Sequence, residues 1–136
     1  MAITAAITLS SAAGDLLTDA LSLSTSCSLS KADTSTAIDN TAGLARKTTT
    51  SASEYTLFAA ADYTDDKAHK LYLKNMETSA ALYFEVQIAG VVVGRLYAGD
   101  WALIPWSADT TGTNCDVDIT PSSSASHTLE YMLFNE

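Results

Sequence analysis

From Glu54 to Phe134 the chain alternates apolar and polar residues in short runs, and a turn signal closes each run. Alternation of period two puts one row of side chains on each face of an extended strand. His69, Leu71 and Leu73 share one face, with Lys70, Tyr72 and Lys74 on the other. Leu82, Phe84, Val86 and Ile88 line one face of the next run. Ala89-Gly90 then makes a tight turn into Val91–Tyr97, the pattern of a hairpin. Trp101–Trp106, Cys115–Thr120 and Leu129–Phe134 continue the series. No stretch carries helical periodicity over the length a stable helix needs. The expectation is an all-β fold, an antiparallel β-sandwich or jelly-roll-like unit of about eight or nine short strands.

The first half is less regular. Ile3, Ala5, Ile7 and Leu9 alternate with Thr4, Ala6 and Thr8, and Ser10–Asp15 reads as a turn. Leu16–Leu29 is ambiguous, because Leu17 and Leu21 would also suit one helical turn. From Leu21 onward, Leu21, Leu23, Thr25, Cys27 and Leu29 alternate with four serines, which predicts an amphipathic strand. Serine has low strand propensity, so an edge or surface position is expected. Residues 31–53 are polar and poor in large apolar groups. They read as a long loop or polar arm with one short strand around Leu44–Thr49. The expected organisation is therefore an N-terminal region, 1–53, of strands and arm, and a sandwich core, 54–136, in one domain overall. Leu44 and Arg46, in the arm, are candidate contacts with a neighbouring subunit.

Charge narrows the functions. Sixteen Asp and Glu oppose seven Lys and Arg, a formal charge of −9. The cations are scattered from Lys31 to Arg95 and form no basic stripe, so neither nucleic acid nor an anionic membrane is an expected partner. No apolar run reaches the ~20 residues of a membrane-spanning helix. The start of the chain lacks the basic, then apolar, signature of a secretory signal, so assembly in a cytoplasm is expected.

Candidate chemistry is sparse. Cys27 and Cys115 match no metal spacing and read as small buried hydrophobes, with a disulfide as the alternative. His69 and His127 read as structural, since no serine sits in a Gly-x-Ser-x-Gly elbow. Asp116 and Asp118 share one face of a strand, roughly 7 Å apart, and read as a solvated outer face. Asp62, Asp65 and Asp66 lack calcium-loop spacing and read as a polar turn. Gly90, Gly94 and Gly99 do not make a phosphate-binding fingerprint. No catalytic residue, cofactor site or metal site is expected. The densest feature is Tyr97, Trp101 and Trp106 across one turn. Exposed aromatics of this kind serve interfaces or stack on sugars. Five residues separate the two tryptophans, so a regular strand points them to opposite faces, one into the core and one outward.

Lys70–Asn75, Tyr83–Val86, Gly94–Asp100, Asp116–Thr120 and Leu129–Met132 resemble segments of small virion structural proteins of tailed phages, particularly of marine and cyanobacterial hosts. The resemblance implies a capsid decoration or cement protein on the virion surface. It implies a homo-oligomer, with a trimer favoured, whose partners are the major capsid protein or other virion proteins. A tail or tail-fibre component is the alternative within that class. A carbohydrate-binding β-sandwich module built on Tyr97, Trp101 and Trp106 is the alternative outside it. The resemblance implies no catalytic residue.

Overall fold

The computed structural model describes residues 2–112 and 114–136. The polar loop expected over Asp109–Asn114 includes Thr113, which lies outside them. Among the described residues there are eleven strands, one short 3-10 turn at Ala60–Asp62 and no α-helix. The chain divides into two units, Met1–Asp39 and Asn40–Glu136.

The first unit is a two-stranded antiparallel ribbon of β1 (Thr4–Ser11) and β2 (Leu21–Ser28). The register runs from Thr4 opposite Ser28 to Ser11 opposite Leu21. Between the strands Gly14, at φ +86°, donates its N–H to the Leu17 carbonyl at 2.8 Å. That closes the ambiguous stretch as a hairpin loop and leaves no helical turn at Leu17. Beyond β2, Ile38 N–H donates to Leu29 O at 2.9 Å, and both residues are buried.

The second unit is a sandwich of two antiparallel sheets. β5 (Tyr55–Phe58), β10 (Val117–Pro121), β7 (Phe84–Ile88) and β8 (Val91–Leu96) form a four-stranded sheet in the order 5-10-7-8. β3 (Asn40–Thr41), β11 (His127–Asn135), β6 (His69–Asn75) and β9 (Trp101–Trp106) form the larger sheet, with β4 (Ala45–Thr49) also pairing β11. Alternate residues meet between the sheets. Leu71 and Leu73 come from β6, Leu129 and Leu133 from β11, Phe84 and Val86 from β7, and Val117 and Ile119 from β10. Each such side chain, fully buried, contributes ~1.5–3 kcal/mol relative to exposure. Asn75, at the end of β6, is buried among them. Its Nδ2 donates to Leu82 O and Leu96 O, both at 3.0 Å, which ties β6 to the ends of the facing sheet.

Two expectations need correction. The boundary expected at Ser53 falls at Asp39, because Asn40–Thr41 and Ala45–Thr49 pair with β11, the latter being the short strand expected around Leu44–Thr49. Thr49 lies opposite His127, and Ala45 opposite Tyr131. Backbone pairing of this kind needs no large apolar side chain, so a polar sequence conceals it. Cys27, expected to be buried, is exposed, because β2 has no second sheet stacked over that position within its own ribbon.

Candidate functional site

The segment from Tyr97 to Trp106 leaves one sheet and enters the other. The turn is held by the Asp100 carboxylate, which accepts the Tyr97 N–H at 2.9 Å, and by Gly99 at φ +81°. The strand that follows separates its two tryptophans. Trp106 is 4% exposed and Trp101 is 52% exposed, the opposite placement expected from their spacing. The Trp106 indole donates to Cys115 O at 2.8 Å and packs against Tyr63 and His69, each with ring centroids 5.3 Å away. Trp106 is therefore a core residue and not an interface residue, since its ring and its donor are both satisfied inside. Tyr97 is exposed and packs against Tyr83, with ring centroids 5.3 Å apart and planes tilted by 52°. Burial of Trp106 removes the three-aromatic platform on which a sugar would stack.

Trp101 instead joins a row on the outer face of the larger sheet. Arg46 lies opposite Glu130, Glu130 opposite Lys74, and Lys74 opposite Trp101, across β4, β11, β6 and β9. The row alternates cation, anion, cation and aromatic. Arg46 reaches Glu130 Oε2 through Nε at 2.8 Å and Nη2 at 2.7 Å, while Tyr72 donates to Oε1 at 3.3 Å. The Arg46 guanidinium, with Tyr72 helping, holds the Glu130 carboxyl below its ordinary range. The next row is Met132, Tyr72 and Leu103, and the one after is Phe134, Lys70 and Pro105. Arg46, Lys70 and Lys74 outnumber Glu130 here by three to one, on a chain whose net charge is −9. Leu44 stands exposed just before β4. Of the sequence-predicted contact residues, Arg46 and Trp101 thus meet on one face, Leu44 adjoins the strand that carries Arg46, Tyr97 lies in the turn leading to Trp101, and Trp106 is inside.

The face also holds Lys74, Glu130, Tyr72, Leu103 and Met132, which sequence reasoning passed over as ordinary outward positions. Alternation revealed their side of the strand. Only the pairing order of four strands far apart in sequence makes them neighbours.

The remaining candidates have structural partners. Asp116 precedes β10, and its carboxylate accepts the Ala60 N–H at 2.7 Å, capping the 3-10 turn. Asp118 accepts the Thr56 hydroxyl at 2.6 Å across the β5–β10 pair. The two carboxylates serve different elements and do not act as a pair. Asp65 accepts from the Thr110 hydroxyl at 2.9 Å. Among the described residues no cluster of three or more His, Cys, Asp or Glu is disposed to hold a metal ion.

His127 is buried, and its Nδ1 lies 2.7 Å from Ala125 O. A carbonyl only accepts, so Nδ1 carries the proton and Nε2 accepts from the Ser122 hydroxyl at 3.0 Å. The Ser122 oxygen in turn accepts the Tyr83 N–H at 3.1 Å. A serine–histidine pair of this form resembles a nucleophile and its base. Here it stitches the Ser122–His127 turn to the start of β7. His69 is fully buried between Tyr63 and Trp106, and among the described residues neither ring nitrogen has a partner at good hydrogen-bond geometry. Burial lowers its pKa from 6.5, opposed only in part by the Thr64 backbone and the Glu136 carboxylate.

No family model matches the chain, and no curated protein matches it either.

Proposed function

We propose that this chain is a non-enzymatic virion structural protein, a capsid decoration protein that bridges shell subunits. The observation that supports this reading is the outer face of the larger sheet. It is a sheet surface with an exposed tryptophan, half-buried Tyr72, Leu103, Met132 and Phe134, and a local excess of cations on an acidic chain. Interfaces favour aromatic, methionine and arginine side chains of this kind, and opposite charge steers an acidic partner onto them. The partner that fits is an acidic, partly apolar protein surface presented many times over, as a shell presents it. The resemblance of the second half to phage virion proteins points the same way.

Electron microscopy of the assembled particle tests the proposal. The expected result is many copies spread over the shell, each with β4, β11, β6 and β9 turned toward it. A shell without this chain overturns the reading, and density confined to one vertex assigns the chain to the tail.

A further inference from the structure

A sandwich stops somewhere, and each edge strand there leaves N–H and C=O groups unpaired. In the four-stranded sheet the edges are β5 and β8. In the larger sheet β9 forms one edge, and β3 with β4 forms the other. Most of these edges are blunted by familiar means. β3 and β5 are very short, with two and four residues. β4 carries Arg46 and Lys47, and β9 contains Pro105. β8 is the exception. Val91, Val92 and Val93 stand 66%, 51% and 55% exposed, and Gly94 follows them.

Beside that edge is a cleft of about 230 Å³, where the sandwich opens between β8 and β9. Val86, Val93, Arg95, Leu96, Ala102 and Ile104 line it. The Arg95 guanidinium is engaged elsewhere, 3.1 Å from Glu85 and over the Tyr83 ring at 4.8 Å. The β7–β8 ladder pairs Val86 with Gly94 and Gln87 with Val92, so Val93 is an extra, bulged residue. Bulges commonly protect an edge. This one adds an apolar side chain to the wall of the cleft instead of a charge.

Charge says what can cover this edge. Among Val91–Gly94 and the residues lining the cleft only Arg95 is ionisable, and Glu85 neutralises it, on a chain carrying −9. Two copies of so acidic a protein repel over most of their surface. They approach at least electrostatic cost through a neutral apolar patch. A two-fold contact also needs a patch that complements itself, which a run of three valines laid antiparallel against its own copy provides.

We propose that the protein dimerises through β8, the Val91–Gly94 segments of two copies lying antiparallel about a two-fold axis and sealing each other's cleft mouths. The bulge interrupts a continuous backbone ladder, so valine packing carries most of the contact. A two-fold contact closes at two copies, not at the three expected from the family resemblance. The dimer does not depend on where the protein serves.

Sedimentation of the full chain over a concentration series tests it. The expected result is a species of twice the 14.3 kDa chain mass. Val92→Lys restores the single-chain mass while keeping the melting temperature of the monomeric fold. Val91→Glu, at the most exposed of the three valines, does the same independently. Trp101→Ala, on the outer sheet face, leaves the dimer intact. Amide exchange at Val91–Val93 slows as the dimer fills. A wild-type chain that stays single at every concentration, a trimeric mass, a dimer that survives both valine substitutions, or a dimer broken by Trp101→Ala overturns the proposal.

Discussion

The ribbon of Met1–Asp39 and the sandwich of Asn40–Glu136 are both written in alternating residues, yet only one of them turns alternation into a core. In β6 every second residue from His69 to Asn75 is buried. In β2, where the alternation is as regular, Leu23 stays exposed, and in β1 so do Ile7 and Leu9. Leu16 and Leu17, in the loop between them, are also in solvent. The sandwich has two sheets whose apolar rows face each other. The ribbon has two strands, and a pair of strands alone is marginally stable in water. Alternation therefore makes a strand, and only a second layer makes that strand a stabilising one.

Substitutions in the two regions should differ most in their cost. Phe84→Ala removes a fully buried ring from the sandwich and should cost about 3–5 kcal/mol, read as a lowered urea midpoint. Leu9→Ala, in the ribbon, should change the same midpoint by less than about 0.5 kcal/mol. Equal losses would mean that the ribbon shares the cooperative core. Asn75→Ala should follow Phe84→Ala in size. It strands the Leu82 and Leu96 carbonyls that Asn75 now satisfies, at about 1–3 kcal/mol. Native-state hydrogen exchange sharpens the same contrast. Amides of β6 and β11 should open only with global unfolding, and those of β1 and β2 far more readily.

A smaller effect is set by pH. His69 has a lowered pKa when folded, so below 6.5 the unfolded chain takes up the proton first. Stability should be flat above that pH on this account and should fall as pH drops from 6.5 toward the folded value. His69→Phe should remove that part of the slope in a series of thermal melts, and an unchanged slope would show that another group carries it. Glu130 acts in a lower window. Its folded pKa is depressed by Arg46, so its contribution is present above the unfolded value of 4.5 and is lost as pH falls through the folded one. Arg46→Ala should shrink that step to the smaller part due to Tyr72 and Lys74 while leaving the fold intact.

How legible the protein was depended on the kind of interaction. The strands from Tyr55 to Asn135 announced themselves, because burial between two sheets imposes period two on side chains. The opposite fates of Trp101 and Trp106 followed from five-residue spacing alone. β3 was silent, and β4 showed as the short strand around Leu44–Thr49 without any sign of its partner. They are held by backbone bonds to β11, and those leave little mark on side-chain identity. The Ser122–His127 link and the Asp116 cap were equally hidden, since each joins groups by geometry within a turn or across distant segments.

Local period and composition alone set the strand class, the faces of the strongest strands and the acidic balance of the chain. Tertiary structure decided where the chain divides, which aromatic is core, and that Arg46, Glu130, Lys74 and Trp101 stand in one row. Those outcomes rest on which distant strands pair and in what register. That choice is made by the summed burial of the whole sandwich, and no single stretch of residues contains it.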